Sequence, residues 1–413
     1  MGNRPPDAIA HSAALPLVAH LVERLDTAAP SLLELVEHSP AGRYRHAVVC
    51  LGGHSALHAE LRERGVEVVD VARRAGPGFY LALYRTLRAM APDLVHTRNA
   101  GNLDGQLVAA LAGVRWRVHG EYPRDGRRQP GAEVCAGLFG AARRKAARRL
   151  RMQLLRRACC PLVNHYIAAG AEQERWLIEA IGAAPSRVTR ILAGVDSLHY
   201  HPRLGPHTAV GPAGFMRDEV FVIGSVGRMD EVKDYPTLVE AFLRLIASPH
   251  PAHQRMRLMI VGDGPQRALC LDMLTRAGAS HRAWLPGERS DIAQLLRAMD
   301  LFVLPSLAEG SSNTILEAMA SGLPVVATAV GGNPVLVHPG FTGILVPPRT
   351  PDLMAAAIAD YCRIPDMGAR HGMRARSQVI ARHSLPDMAR GYTAVYDALT
   401  RQGTACPPAG PPP

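Results

Sequence analysis

Short apolar runs recur along the chain, separated by stretches with helical spacing of apolar positions. Residues 15–22, 46–51 and 66–71 read as strands, with a helix around 32–37 between the first two. A helical pattern at 80–90 follows, then a strand at 93–96, a helix at 104–111 and a strand at 116–119. Further on come a strand at 162–169, a helix at 172–181 and a strand at 188–192. Residues 197–218 break the alternation, with Pro202, Pro206 and Pro212 set among glycines, and read as a linker. Beyond it the pattern resumes, with strands at 220–227, 258–261, 300–304, 324–327 and 341–346 and helices at 351–362 and about 386–400. Strands alternating with helices predict an α/β fold of two doubly wound parallel sheets, residues 14–196 and 219–385. Residues 1–13 and the proline-rich 403–413 read as disordered, and 386–402 as a final helix.

The chain is organised around residues 305–337, PSLAEGSSNTILEAMASGLPVVATAVGGNPVLV. They follow a buried-type strand with a carboxylate, Glu309, then small polar residues, Gly310, Ser311, Ser312, Asn313 and Thr314, then a helix ended by Gly322 and Pro324. In parallel sheets ligands sit at the carboxyl ends of strands, beside helix N-termini, where Glu309 and Glu317 flank that position. A capped surface helix with solvated glutamates is the bland alternative. It suits Glu317 better than Glu309, which follows a buried strand at once.

Two other strand ends carry candidate chemistry. After 220–226 come Gly227, Arg228 and Lys233; an arginine fork and a mobile ammonium suit a phosphate that gains charge as a bond breaks, although a strand followed by two cations is also an ordinary surface pattern. Gly262, in Gly262-Asp263-Gly264-Pro265, lets backbone approach a ligand or makes a tight turn. In the first half, His119 ends a strand at a glycine turn, with His96 ending the strand before it as the weaker candidate.

These residues resemble glycosyltransferase family 4 in the form EG-x-SN-x-ILEAMA-x-G-x-PVVAT-x-VGGNP, with Glu309 and Glu317 as its E-x7-E pair and Gly227 to Lys233 as its G-R-x4-K element. The resemblance covers nearly the whole chain. In 21–26, 44–51, 93–99 and 113–121 it is nearest a bacterial exopolysaccharide subgroup associated with exosortase systems. It implies the GT-B fold, two Rossmann-like domains facing a cleft, with the last helix crossing back onto the first domain. It also implies a retaining sugar transfer from a nucleoside-diphosphate sugar to a polysaccharide or lipid-linked glycan acceptor.

Several roles follow from the resemblance alone. His119 lies beside the transferred sugar. Arg228 and Lys233 hold the diphosphate, and the amides of Gly310 to Asn313 face it. Glu309 contacts the sugar and Glu317 the ribose hydroxyls. Gly227, Gly262, Leu285, Arg289, Ser311, Ser312 and Thr314 complete the donor site. No Asp-x-Asp pair occurs to hold a cation on the diphosphate, so no metal and no other cofactor is expected.

Three departures bear on the acceptor side. Where the family carries a Gly-Gly loop after the first strand, this chain has Thr27-Ala28-Ala29-Pro30-Ser31, read as a loop in which alanine disfavours positive φ and proline lacks an amide hydrogen. Ala193 replaces an asparagine, and Val335 stands where a glutamate is usual. A non-catalytic, nucleotide-sugar-binding relative is therefore the competing reading.

Charge adds little that is specific. The formal net charge is +11, which favours anionic partners without choosing among them. The densest basic run, Arg143 to Arg157, has an apolar face of Ala147, Leu150, Leu154 and Ala158. It reads first as a solvated helix on its own domain and second as a dock for an anionic membrane surface. It lacks interleaved aromatics and any nucleic-acid motif, so no nucleic-acid partner is expected. The seven cysteines show no C-x-x-C spacing and read as reduced thiols of a cytoplasmic protein, with a peripheral place at the inner membrane face as an extension. No run reaches the ~18 apolar residues of a spanning helix.

Overall fold

The computed structural model of the chain describes residues 15–23, 25–52, 57–71, 77–98, 103–122, 153–207, 210–216 and 219–402. Within them the chain forms two wholly parallel sheets. The first holds β1 (Leu17–Val22), β2 (Arg45–Cys50), β3 (Glu67–Asp70), β4 (Leu94–Arg98), β5 (Trp116–Glu121), β6 (His165–Ala168) and β7 (Val188–Arg190), in the order β3-β2-β1-β4-β5-β6-β7. The second holds β8 (Phe221–Val226), β9 (Met256–Val261), β10 (Ala283–Gly287), β11 (Leu301–Leu304), β12 (Val325–Thr328) and β13 (Gly343–Val346), in the order β10-β9-β8-β11-β12-β13. Each order reverses once, between β1 and β4 and between β8 and β11. Those are the points where loops diverge and leave a crevice.

The sequence explains the parallel character. β1, β4, β11 and β12 are buried at every residue, because helices cover both faces of each sheet. The strands carry continuous apolar runs and no alternation. Polar exceptions sit in the first sheet, where His20, His46 and His96 cluster with His20 Nε2 3.0 Å from His46 Nδ1. Burial, then the neighbouring cations, keeps these imidazoles well below their ordinary pKa, His46 at about 4, so they are neutral at pH 7.

The last helix, Leu385–Gln402, packs on the first sheet. Leu385, Tyr392 and Tyr396 join Val18, Leu94 and Val118 in one core cluster. Tyr396 Oη reaches His96 Nδ1 at 2.8 Å, and Tyr44 Oη donates to Asp397 at 2.8 Å. So one ring nitrogen of His96 serves this joint.

Two sequence readings change. Residues 27–31, expected as a loop, lie in the helix Leu25–His38, which buries Leu25, Leu32 and Leu35 against the domain. Three leucines at helical spacing outweigh the break that Pro30 would cause. A helix that the pattern did not predict, Pro365–Arg382, follows 351–363 directly. Only His371, Gly372, Ala375 and Val379 of its eighteen residues are buried, so it carries almost no apolar periodicity. Its Arg376 reaches the carbonyls of Ser197, Tyr200 and Ala320, tying the linker to the second domain. The linker's end belongs to that domain as well, since Phe215 is buried and lies 6.0 Å from the Trp284 ring.

No disulfide joins the described cysteines. Among the described residues no helix is long and apolar enough to cross a membrane.

Candidate functional site

The second sheet builds its site at the reversal between β8 and β11. The loop after β8 brings Lys233 against Glu309 from the loop after β11, with Nζ to Oε1 at 2.5 Å. Ser306 Oγ donates to the same carboxylate oxygen at 2.7 Å. The Lys233 side chain is 16% exposed and that of Glu309 7%, so the pair is shielded and its attraction is stronger than at a surface. These residues lie 76 positions apart in sequence, and the fold of the sheet alone joins them.

Loops after neighbouring strands are laced by backbone contacts. Met229 N donates to Asp263 O at 2.8 Å, Gly262 N to Gly287 O at 2.8 Å, and Gly332 N to Gly310 O at 3.0 Å. Gly262 has φ +138°, and a Cβ there would collide with the Gly227 carbonyl, so the crossing of these two loops requires glycine. Gly227 is held by Val261 O at 2.9 Å.

The helix Asn313–Ala320 starts beside this pair. Ser312 is its N-cap, accepting from Ile315 N at 3.4 Å, and Ser312 Oγ lies 3.2 Å from Thr314 Oγ1. Asn313 is exposed, while Gly310, Ser311 and Thr314 are half-buried. The helix N-terminus offers amide hydrogens and the positive end of a dipole. One turn further on, Glu317 is half-buried and pushed up to about 8, by burial first and by Glu34 second. Glu34, from the helix Leu25–His38 of the first domain, is itself pushed up to about 7 by burial, with Asp196 and Glu37 adding to it. The charge of Glu34, from the first domain, thus opposes ionisation of Glu317 in the second. Sequence reasoning missed Glu34, and nothing local to it marks it.

Other predicted donor residues fall outside this group. Arg228 is 58% exposed and pairs with Asp230 at 2.8 Å. Arg289 makes a two-pronged exposed pair with Asp291, at 2.9 and 2.8 Å. Leu285 is buried in the core, because strand alternation in β10 turns its side chain inward; only its carbonyl is used, by Arg267 Nη2 at 2.8 Å.

In the first domain His119 is not at a strand end. It lies within β5 and is 1% exposed. Its Nδ1 is 2.7 Å from Thr97 Oγ1, and its Nε2 3.3 Å from Glu121 Oε2. Gln106 Nε2 donates to Thr97 Oγ1 at 2.6 Å, and Arg156 reaches the other Glu121 oxygen at 3.1 Å. Burial works against ionisation of Glu121, but the His119 hydrogen bond and the Arg156 charge outweigh it and hold the carboxyl below its ordinary value. Gln106, Thr97, His119, Glu121 and Arg156 thus form a continuous polar chain. Glu121, two residues beyond His119, was the available sequence signal for it.

Arg156 also lies 4.7 Å from the Trp176 ring centroid, and Arg157 Nε donates to Ala180 O at 2.7 Å. The described end of the basic run therefore binds its own domain; residues 143–152 lie outside the described residues. Ala28 and Ala29 lie in the helix Leu25–His38, and their side chains are outside the described set. Ala193 O meets His383 Nδ1 at 3.0 Å, and Val335 is 63% exposed.

Residues 28–197 match the model described as Glycosyltransferase Family 4, and residues 220–363 match Glycosyl transferases group 1. The chain is 29% identical over 271 residues to an Escherichia coli UDP-Gal:alpha-D-GlcNAc-diphosphoundecaprenol alpha-1,3-galactosyltransferase, covering 64% of this chain and 65% of that one. It is 30% identical over 244 residues to a D-inositol 3-phosphate glycosyltransferase of Geodermatophilus obscurus, covering 57% and 54%. Each match spans less than two thirds of the relative's own length. Among solved structures, Anabaena Alr3699/HepE in complex with UDP and glucose aligns at a TM-score of 0.71 and 20% identity, over 92% of this chain and 99% of that one. The fold is GT-B, and its two halves match, in order, the models described as Glycosyltransferase Family 4 and Glycosyl transferases group 1.

Proposed function

We propose that the chain is a retaining glycosyltransferase that moves a sugar from a nucleoside-diphosphate sugar to a polysaccharide or lipid-linked glycan acceptor. The observation that carries this is the shielded Lys233–Glu309 pair at the reversal of the second sheet, beside the amides that open the helix Asn313–Ala320. The diphosphate lies against those amides and Lys233. Arg228, exposed and paired with Asp230, swings onto it. Glu317 takes the ribose hydroxyls, and Glu309 faces the sugar and the positive charge that develops on it.

The acceptor hydroxyl attacks the anomeric carbon from the face the diphosphate leaves. The bond from that carbon to the diphosphate breaks, the new carbon–oxygen bond forms, and the acceptor's proton passes to the departing phosphate oxygen. Charge growing on that oxygen is met by fixed donors in a shielded site, which lowers the barrier. Lys233, Arg228 and the helix amides take the part that a cation on the diphosphate plays elsewhere. The named relatives supply the substrate class: one bears a UDP-galactose donor and a lipid diphosphate acceptor in its name, and a structural neighbour holds UDP. A cytoplasmic location rests on the sequence reading alone, and the bacterial exopolysaccharide role on the sequence resemblance alone.

Nuclear magnetic resonance of the purified protein with UDP-, GDP- and ADP-sugars tests this. One donor is consumed, by transfer or slow hydrolysis, with the anomeric configuration kept and with the rate unchanged by EDTA. Inversion of configuration would remove the retaining assignment, and loss of rate with EDTA that Mg²⁺ or Mn²⁺ but not Zn²⁺ restores would remove the metal-free one. Tight nucleotide-sugar binding without any turnover would favour the non-catalytic relative.

A further inference from the structure

Cys50 closes β2, Asp70 closes β3 beside it, and His58 stands second in the helix Leu57–Glu63 that connects them. Register pairs Cys50 directly with Asp70, so the two side chains leave the same face of the sheet at its carboxyl rim. The connecting helix sets His58 over them, with Nε2 at 2.8 Å from Asp70 Oδ1. One sulfur, one ring nitrogen and one carboxylate oxygen all lie within 4.8 Å of one another, and among the described residues this is the only such group of three or more. Cys50 and His58 are fully enclosed, while the Asp70 side chain is 36% exposed, so solvent reaches the trio from the carboxylate side.

A buried cysteine commonly serves as a small apolar filler, and a histidine–aspartate pair as a hydrogen bond. Neither role calls for all three donors to converge. Thiolate, imidazole and carboxylate are a donor set of zinc, which binds them tetrahedrally at ~2.3 Å for sulfur and ~2.0–2.1 Å for nitrogen and oxygen. We propose that Cys50, His58 and Asp70 form a zinc site, with a fourth position open on the side of Asp70. On binding, the Cys50 thiol gives its proton to solvent. Zn²⁺ then meets one thiolate, one neutral imidazole and one carboxylate, so the set has no net charge, and its burial costs far less than that of a lone ion. A tetrahedron with those bonds separates its donors by ~3.3–3.6 Å. His58 and Asp70 part slightly and the sulfur closes in, which are movements of side-chain size.

The site belongs to the first sheet, whereas the Lys233–Glu309 pair belongs to the second. Its role is to hold the edge of the first domain: β3 is a four-residue edge strand, and the metal would clamp it to β2 and to the helix between them. Free energy of metal binding then becomes stability of that edge. The inference does not depend on the proposed reaction.

The test is titration of EDTA-treated, dialysed protein with Co²⁺ under reducing conditions, followed optically and then by competition with Zn²⁺. One equivalent binds with a thiolate-to-cobalt charge-transfer band, zinc displaces it, and zinc raises the melting temperature. Cys50→Ser abolishes the band. Asp70→Asn, at the exposed edge, keeps the band and weakens affinity about tenfold or more. Absence of a saturable one-equivalent band, a band that survives in folded Cys50→Ser, or an affinity unchanged in Asp70→Asn would each overturn the site. If Cys50→Ser does not fold, Asp70→Asn decides.

Discussion

The rims of the two sheets use the same architecture to opposite ends. At the second, the loops after β8, β9 and β11 are laced together by backbone hydrogen bonds. They bring a lysine–glutamate pair beside a capped helix start, with the exposed Arg228–Asp230 pair outside it. At the first, described side chains at the matching level bond one another. His119 is sealed between Thr97 and Glu121, and the helix from Leu25 occupies the stretch expected to be a loop. The two strand ends differ in the chemistry they gather: a cation, a carboxylate and a helix N-terminus at the second, a chain of side-chain hydrogen bonds around His119 at the first.

The comparison breaks most readily at Glu317. Replacing it with alanine is expected to weaken the nucleoside and the sugar nucleotide alike, by tenfold or more, a difference of ~1.4 kcal/mol or above. Calorimetric titration of both ligands measures it, and a loss confined to the sugar nucleotide would move the ribose contact elsewhere.

His119→Asn probes the opposite half. Removing the ring takes one buried partner from Thr97 and one from Glu121, which keep Gln106 and Arg156; this costs ~1–3 kcal/mol of stability, while donor affinity stays within twofold. If donor hydrolysis also fell a hundredfold, His119 would be acting on the sugar and the contrast between the halves would fail.

A smaller effect is expected with pH. Glu317 and Glu34 are raised to about 8 and about 7, so in the folded chain they keep their protons where the unfolded chain has already lost them. Stability is therefore full below about pH 4.5 for these two groups and is lost as pH rises through 7 and 8. The buried histidines act in the opposite sense, but below their ordinary values, so the window from pH 7 to 8 isolates the carboxylates. The melting temperature of ligand-free protein should fall across that window and should fall less in Glu317→Gln. Equal slopes in the two proteins would remove the acidic contact between domains.

The smallest change is predicted for Arg289→Ala. Its guanidinium is engaged by Asp291 at the surface, so donor binding should stay within twofold. A tenfold loss would show that this pair opens onto the nucleotide.

What the sequence made legible follows from range. β1, β11 and β12 were visible because a fully buried parallel strand is written as one apolar run. The helix Asn313–Ala320 was visible because its cap and its stop, Ser312 and Gly322, are local. Glu309 and Lys233 could be named separately from their motifs, but their contact depends on two strands being neighbours in the sheet, which no local pattern records. The helix Pro365–Arg382 was missed because it buries too few residues to leave a periodic trace. Leu285 was placed on the ligand by its motif, and the alternation of β10 puts it in the core. His119 was located in sequence, but its enclosure depends on Thr97, Gln106 and Arg156, each brought in from another element.

The central claim is that Lys233 stabilises the departing diphosphate at the reversal of the second sheet. The most direct test is turnover of Lys233→Ala at saturating donor, with donor affinity measured alongside. Turnover should fall by about 10²-fold or more, corresponding to ~3 kcal/mol of lost charge stabilisation, with donor affinity weakened far less. Turnover equal to that of the unmodified protein would contradict the placement of the site.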